Sequence, residues 1–180
     1  MPLASPDIQN IIIGAPSQVA ISDYVATRGA GTFYNIGYTI GGVMISYKRE
    51  RFKLSPDQFL GNVISEPIKA EATIKFKMLE GMIENLRLAL ALPAGAKTGA
   101  DPNFTLKVNM SERAIYHQVK VTGRGLGTTK VRTFTSWRCV FQDFEDLPLT
   151  KEGAQIIGVT IDCLEETAAG DTDFGRFIEA

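Results

Sequence analysis

The side chains of this 180-residue chain that could bind or react are few and widely spaced. They are one histidine, His117, two cysteines, Cys139 and Cys163, and a glycine-rich run, Gly123-Arg124-Gly125-Leu126-Gly127. Four acids near the end, Glu165, Glu166, Asp171 and Asp173, and a basic cluster, Lys48, Arg49, Arg51 and Lys53, complete the set. The glycines invite a nucleotide reading, but a dinucleotide fingerprint needs a helix N-terminus behind them and a P-loop needs Lys-Ser/Thr at fixed spacing. Here they separate two strand-like segments, "IYHQVKVT" and "TKVRTFTSW", so a hairpin turn is the better account. His117 shares a strand face with Ile115, Val119 and Val121, which reads as a buried imidazole. Cys139 alternates with Val131, Trp137 and Phe141, and Cys163 with Ile157, Val159 and Ile161, which reads as two buried thiols of a protein made in a reducing compartment. A disulfide between the two strands stays open as an alternative. One His and two separated Cys are too few for a structural zinc site, and the acids lack EF-hand spacing. The expectation is no catalytic residue, no metal and no cofactor. The basic cluster is interrupted by Glu50 and has few aromatic neighbours, which favours a protein-contacting loop over a nucleic-acid site.

The elements that carry these residues are mostly strands. Val43, Ile45 and Tyr47 alternate with Met44, Ser46 and Lys48. Ala70, Ala72, Ile74, Phe76 and Met78 alternate with Glu71, Thr73, Lys75 and Lys77, the period of a half-buried strand. At Leu79 the period changes: Leu79, Met82, Ile83, Leu86 and Leu90 follow helical spacing, predicting a helix over 79–92 that ends at Pro93 and packs that stripe on the sheet. Further strands are expected at Asn10–Ile13, Gln18–Ser22, Phe104–Asn109, Ala114–Thr122, Lys130–Phe141 and Ile156–Leu164. Between residues 48 and 69 lies a long polar segment with two prolines and scattered apolar residues, read as a projecting loop that orders on a partner. The fold class is mainly β: a single domain over 1–180, a β-sandwich or partly open barrel with one flanking α-helix. No run of apolar residues is long enough to span a bilayer, and the start lacks the features of a secretory signal.

The order of these segments resembles the tail tube (major tail) proteins of long-tailed bacteriophages. The likeness is carried by "IGYTIGGV", by "AEATIKFKMLEGMIENLRLAL", and by the C-terminal "YHQVKVTGRGLGTTKVRTFTSWRCVFQDFEDLPLTKEGAQIIGVTIDCLEE", roughly two-thirds of the chain. It implies a structural subunit rather than an enzyme. Hexameric rings of the chain would stack into a tube that conducts DNA without specific binding, alongside tape measure, terminator and baseplate proteins, in a virion tail assembled in the host cytoplasm. The inter-ring contact would be the loop residues Lys48, Arg49, Arg51, Phe52, Lys53, Leu54, Phe59, Leu60, Val63 and Ile64. The family's lumen is generally acidic, and Lys75 and Lys77 stand against a simple assignment of it. Two rivals are a closed-ring tail terminator, connector or secretion-system ring protein, and a β-sandwich ligand-binding module with Trp137 as its platform.

Charge is segregated along the chain. Residues 1–142 hold 17 Lys/Arg against 10 Asp/Glu, and residues 143–180 hold 2 against 10. Such segregation suggests surfaces of opposite sign. An acidic, partly disordered tail over 166–180 is the plainer reading of the last residues.

Overall fold

A computed structural model of the chain describes residues 18–28, 30–54, 64–100, 102–108, 114–124, 130–144, 155–168 and 171–180. Among these residues the fold is mainly β and sandwich-like, with one α-helix and an antiparallel main sheet that does not close into a barrel. The strands are β1 (Gln18–Asp23), β2 (Tyr34–Asn35), β3 (Thr39–Leu54) and β4 (Ile64–Met78), followed by α1 (Ile83–Ala89). Then come β5 (Lys97–Ala100), β6 (Asn103–Leu106), β7 (His117–Arg124), β8 (Val131–Phe144), β9 (Ile157–Cys163), β10 (Glu166–Ala168), β11 (Asp171–Asp173) and β12 (Arg176–Glu179). The main sheet runs β2-β1-β7-β8-β9-β4-β3, with β12 also on β8; β5–β6 and β10–β11 form separate hairpins. The expected strand at Asn10–Ile13 lies outside the described residues.

Alternation in sequence becomes alternation in burial. Ala72, Ile74, Phe76 and Met78 of β4 join Val19, Ile21, Val119, Val121, Val159 and Ile161 in one core, while Glu71, Lys75 and Lys77 face solvent. Each such aliphatic or aromatic side chain withdrawn from water contributes about 1.5–3 kcal/mol. On β8 the alternation breaks. The β7–β8 register shifts between His117/Cys139 and Val119/Ser136, so one extra β8 residue is accommodated there. The buried residues are Phe134, Thr135, Ser136, Cys139 and Phe141, while Trp137 is half-buried and Val131 exposed. A bulge reverses every side chain beyond it, which is why Val131 and Trp137 do not share the face of Cys139.

The helix is shorter than its pattern predicts, and it turns a different face inward. Leu79, Ile83, Leu86 and Leu90 are only partly buried and Met82 is exposed, whereas Asn85, Leu88, Ala89 and Leu92 are buried. These four also keep the i, i+3, i+4, i+7 spacing. The stripe of larger side chains lost because Asn85 has partners inside: its Nδ2 donates to Ile36 O and to Glu80 O, each at 2.9 Å. Arg87 is buried as well, donating to Glu84 Oε1 at 2.8 Å and to Leu92 O at 2.7 Å. The helix ends before Pro93 can act. Ala91 N–H donates to Leu88 O and Leu92 N–H to Arg87 O, the paired bonds of a Schellman cap, with Ala91 at φ 50°.

That cap puts a side chain where glycine is the usual occupant, at a cost of about 1–2 kcal/mol. Ala91→Gly is expected to raise stability by about 1 kcal/mol after the added freedom of the unfolded chain is subtracted. Thermal unfolding should show a rise of roughly 2–4 °C; an unchanged or lower midpoint would mean the cap is not strained.

His117 sits at zero exposure, with Nδ1 3.6 Å from Asp23 Oδ1. Burial pushes its pKa down to about 4, against the upward pull of the Asp23 carboxylate, while Arg87 lowers it further. Between that value and the unfolded value of about 6.5 the unfolded chain binds the extra proton. Stability is therefore complete above about pH 6.5 and falls as pH drops toward 4, by about 3 kcal/mol in all. Denaturant titrations across this window should show the slope, and His117→Leu should flatten it.

Candidate assembly interface

The segment from Lys48 to Lys69, expected to be a loop, is for most of its described length two strands of a hairpin. β3 and β4 pair from Thr39↔Met78 to Leu54↔Ile64, while β9 covers β4 only from Ala72 to Met78. Past Tyr47↔Ala72, the described residues of β3 and β4 pair only with each other and form a two-stranded arm beyond the sheet. Phe59, Leu60 and Val63 lie outside the described residues. Two features of the sequence make this arm. Pro67 has no N–H to give, yet it faces Arg51 at a register shift on an arm edge that needs none. At the base, a second shift falls between Ile40 and Met44, where Gly41 and Gly42 take φ of 76° and 80°. Two successive left-handed residues bend β3 at a cost only glycine avoids.

Lys48, Arg49, Arg51, Phe52 and Lys53 are all exposed on this arm. Opposite them, Lys48 faces Glu71 and Glu50 faces Lys69 across the strands, and Lys69 also pairs with Glu71 along β4. Five basic residues against three acidic ones leave the described arm only mildly positive. Apolar surface is the stronger feature: Met44 is 63% exposed, Ile68 67% and Phe52 51%. β3 is also the end strand of the sheet, so the outer edge of a sixteen-residue strand has no strand beside it among the described residues. The other end of the sheet is the two-residue β2.

The described residues of the acidic C-terminus form strands. β10 and β11 form a hairpin and β12 pairs with β8 from Arg176↔Thr135 to Glu179↔Arg132. The hairpin is fastened to the N-terminal region: Tyr24 Oη donates to Glu166 Oε1 at 2.8 Å, and Arg28 reaches Glu166 O and the Asp173 carboxylate. The Glu166 bond raises the Tyr24 pKa. On its other side Phe174 meets the Tyr47 ring edge-on at 6.1 Å, and Arg49 Nε donates to Tyr47 Oη at 2.8 Å. A groove of about 400 Å³ runs between β3 and this hairpin, bordered by Ile45, Tyr47, Phe134, Asp173, Phe174 and Phe177. The two oppositely charged parts of the sequence thus meet within one chain, at Tyr47.

The sheet does collect the scattered reactive residues. Asp23, His117, Cys139 and Cys163 are successive register partners across β1, β7, β8 and β9. His117, Cys139 and Cys163 are all buried, with both cysteines free. Among the described residues no group of three or more His, Cys, Asp or Glu is arranged to hold a metal ion, and no helix is long and apolar enough to cross a membrane. The glycine run connects the antiparallel partners β7 and β8, Arg124 facing Val131, as a hairpin connection does; residues 125–129 lie outside the described set. Half-burial of Trp137 removes it as an open aromatic platform. The solvent face of β4 mixes Lys75 and Lys77 with Glu71, so it is not uniformly acidic.

No core residue lies in the described arm. Replacing residues 50–69 by Asn-Gly, which suits a tight turn between Arg49 and Ala70, is expected to leave a cooperatively folding chain. Its melting temperature should stay within roughly 3 °C of the parent. Loss of the cooperative transition in calorimetry would show that the arm belongs to the fold and not to an interface.

No protein-family model matches the chain, and no curated protein matches its sequence. Solved structures do. A chain in the cryo-EM structure of the extended-state sheath–tube complex of PVC, an extracellular contractile injection system, aligns at 11% identity with a TM-score of 0.47, over 96% of this chain and 93% of that one. A chain in the cryo-EM structure of the anti-feeding prophage (AFP) baseplate, 6-fold symmetrised, aligns at 9% identity with a TM-score of 0.50, over 98% of this chain and 97% of that one; this is a likeness of fold along nearly the whole length of both.

Proposed function

We propose that the chain is a structural, non-catalytic subunit of a phage-tail-like particle, and within it the tube subunit. Rings of the chain, six-fold in this reading, stack into a hollow tube through which DNA passes without specific binding. The observation that carries this is the long open edge of β3. A sixteen-residue strand with no strand on its outer edge among the described residues invites pairing with another chain, and soluble monomers usually cover or shorten such an edge. In a ring, the β3 edge continues into the neighbouring subunit's sheet, so every copy satisfies the next. The arm, with Phe52 and Ile68 exposed, then reaches the adjacent ring. Such head-to-tail contact does not close on itself and so builds a filament. Tape measure, terminator and baseplate proteins are the expected partners, and the virion tail the expected location.

A second reading is a closed ring that does not polymerise, as a connector at one end of a tail. The likeness to a chain of the AFP baseplate favours it.

Negative-stain microscopy of the purified protein separates the two. Hollow tubes are expected, and Met44→Lys with Tyr47→Lys, which place charge on the open edge, should abolish them while leaving folded subunits. Isolated rings would favour the connector. Monomers across a wide range of protein and salt concentration would overturn both.

A further inference from the structure

Cys139 and Cys163 stand opposite each other on β8 and β9, and the position they occupy is the close one. Leu164 N–H donates to Arg138 O at 2.8 Å, a bond between the residues flanking the pair. In an antiparallel ladder this makes Cys139/Cys163 a non-hydrogen-bonded pair, with Cα atoms about 4.5 Å apart and side chains leaning together on one face. A disulfide accepts Cα separations of roughly 4.4–6.8 Å. The two strands therefore already hold both sulfurs within bridging range.

We propose that this thiol pair is an oxidation site: a two-electron oxidant converts it to a disulfide that staples the two central strands of the sheet. With hydrogen peroxide the balance is simple. The Cys163 thiolate attacks one peroxide oxygen and becomes a sulfenic acid, and hydroxide leaves. The Cys139 sulfur then displaces that hydroxyl from Cys163 as its own proton departs. Two thiols and one peroxide give one disulfide and two waters.

The order of the two cysteines follows from their surroundings. Cys163 borders a cavity of about 640 Å³, also lined by Lys69, Glu71, Gln142, Glu165 and Phe174, and Cys139 does not. A molecule the size of peroxide therefore meets Cys163 first. The hydrogen bond from Cys139 lowers the Cys163 pKa, while burial pushes the Cys139 thiol well up, so Cys163 is the nucleophile and Cys139 the resolving thiol. Burial at 0% and 3% keeps bulky thiols from reopening the bridge. The staple closes the 139–163 stretch into a loop and holds it at the middle of the sheet rather than at a frayed edge. The inference does not depend on the assembly reading.

The test uses the folded wild-type chain and hydrogen peroxide, followed by denaturation, alkylation and intact-mass measurement. The expected product is a monomer lighter by two hydrogens with no alkylatable thiol. Its melting temperature should be higher by roughly 5–10 °C, and the gain should be lost when the oxidised chain is reduced with dithiothreitol in denaturant and then refolded. Cys163→Ser should show no such rise, with Cys139→Ala as the second control should the first fail to fold. Two alkylatable thiols after exposure, sulfinic acids in place of the bridge, or a disulfide-linked dimer would each overturn the proposal, and the wild-type mass alone decides among them.

Discussion

Pairing along β8 is the constraint around which the rest of the fold is arranged. One edge of this fourteen-residue strand is taken by β7, from Arg124↔Val131 to His117↔Cys139. The other edge is shared by β9, which pairs from Phe144 to Cys139, and β12, which pairs from Thr135 to Arg132. Two strands on one edge cannot overlap, so β9 must leave the ladder at Cys163 and β12 must re-enter opposite Thr135. The residues between them rise out of the sheet as the β10–β11 hairpin. The β8 bulge falls at this gap, and Ser136 Oγ donates to Phe174 O at 2.5 Å across it. Gly175 stands where the chain returns: a Cβ there would lie 2.6 Å from Thr135 O and 2.9 Å from the Phe134 ring. Interruption, bulge and glycine form one solution to one pairing problem.

The hairpin so displaced is what gives the acidic C-terminus its place. Tyr24 and Arg28 hold it from the N-terminal side, and Phe174 touches Tyr47 at the base of the arm. Charge repulsion among Glu165, Glu166, Asp171 and Asp173 would favour a loose tail. Two observed contacts oppose that: Arg176 Nε donates to Asp173 Oδ2 at 2.7 Å, and Glu166 is buried against Tyr24. Charged hydrogen bonds of this kind are about twice as strong as neutral ones, which is how so acidic a segment stays folded.

What the sequence discloses follows from which forces are local. Period-2 alternation found β4, β7 and β9 with their core faces, because a strand buried on one side writes its environment into every second residue. It placed His117 and both cysteines in the interior for the same reason. Tertiary effects stayed hidden. The helix face shifted from Leu86 and Leu90 to Asn85, Leu88 and Ala89 because two backbone carbonyls, unseen in sequence, satisfy Asn85. Trp137 and Val131 left the face of Cys139 because a bulge costs one residue and leaves no compositional mark. The arm read as a loop because polar residues and Pro67 are loop-like, yet an arm with two wet faces and a free edge tolerates both. The strands of the acidic end left no local mark because their partners, Tyr24, Arg28 and β8, are distant in sequence.

The distribution of charge along β3 then has a physical meaning of its own. A two-stranded ribbon is marginal in water, and this arm is held because its strands run without a break into the packed part of the sheet. From Lys48 to Lys53 nearly every residue is charged, while from Thr39 to Tyr47 none is. Charges on an edge strand deter indiscriminate pairing, since an incoming strand must desolvate or match them. Among the described residues the uncharged stretch has no strand on its outer side, and it carries no such barrier. A sheet meant only to stay soluble would carry its charges where the edge is longest and best supported, at Val43–Tyr47 over the core. Here the guarded part is the arm and the unguarded part is the portion backed by β4 and β9. That portion is backed by packed strands, so a partner strand adding to it would cost this chain little further conformational entropy. Selectivity is left to the flanking apolar side chains, Met44 on the solvent face and Tyr47 toward the groove, which a correctly registered partner would cover and a slipped one would not.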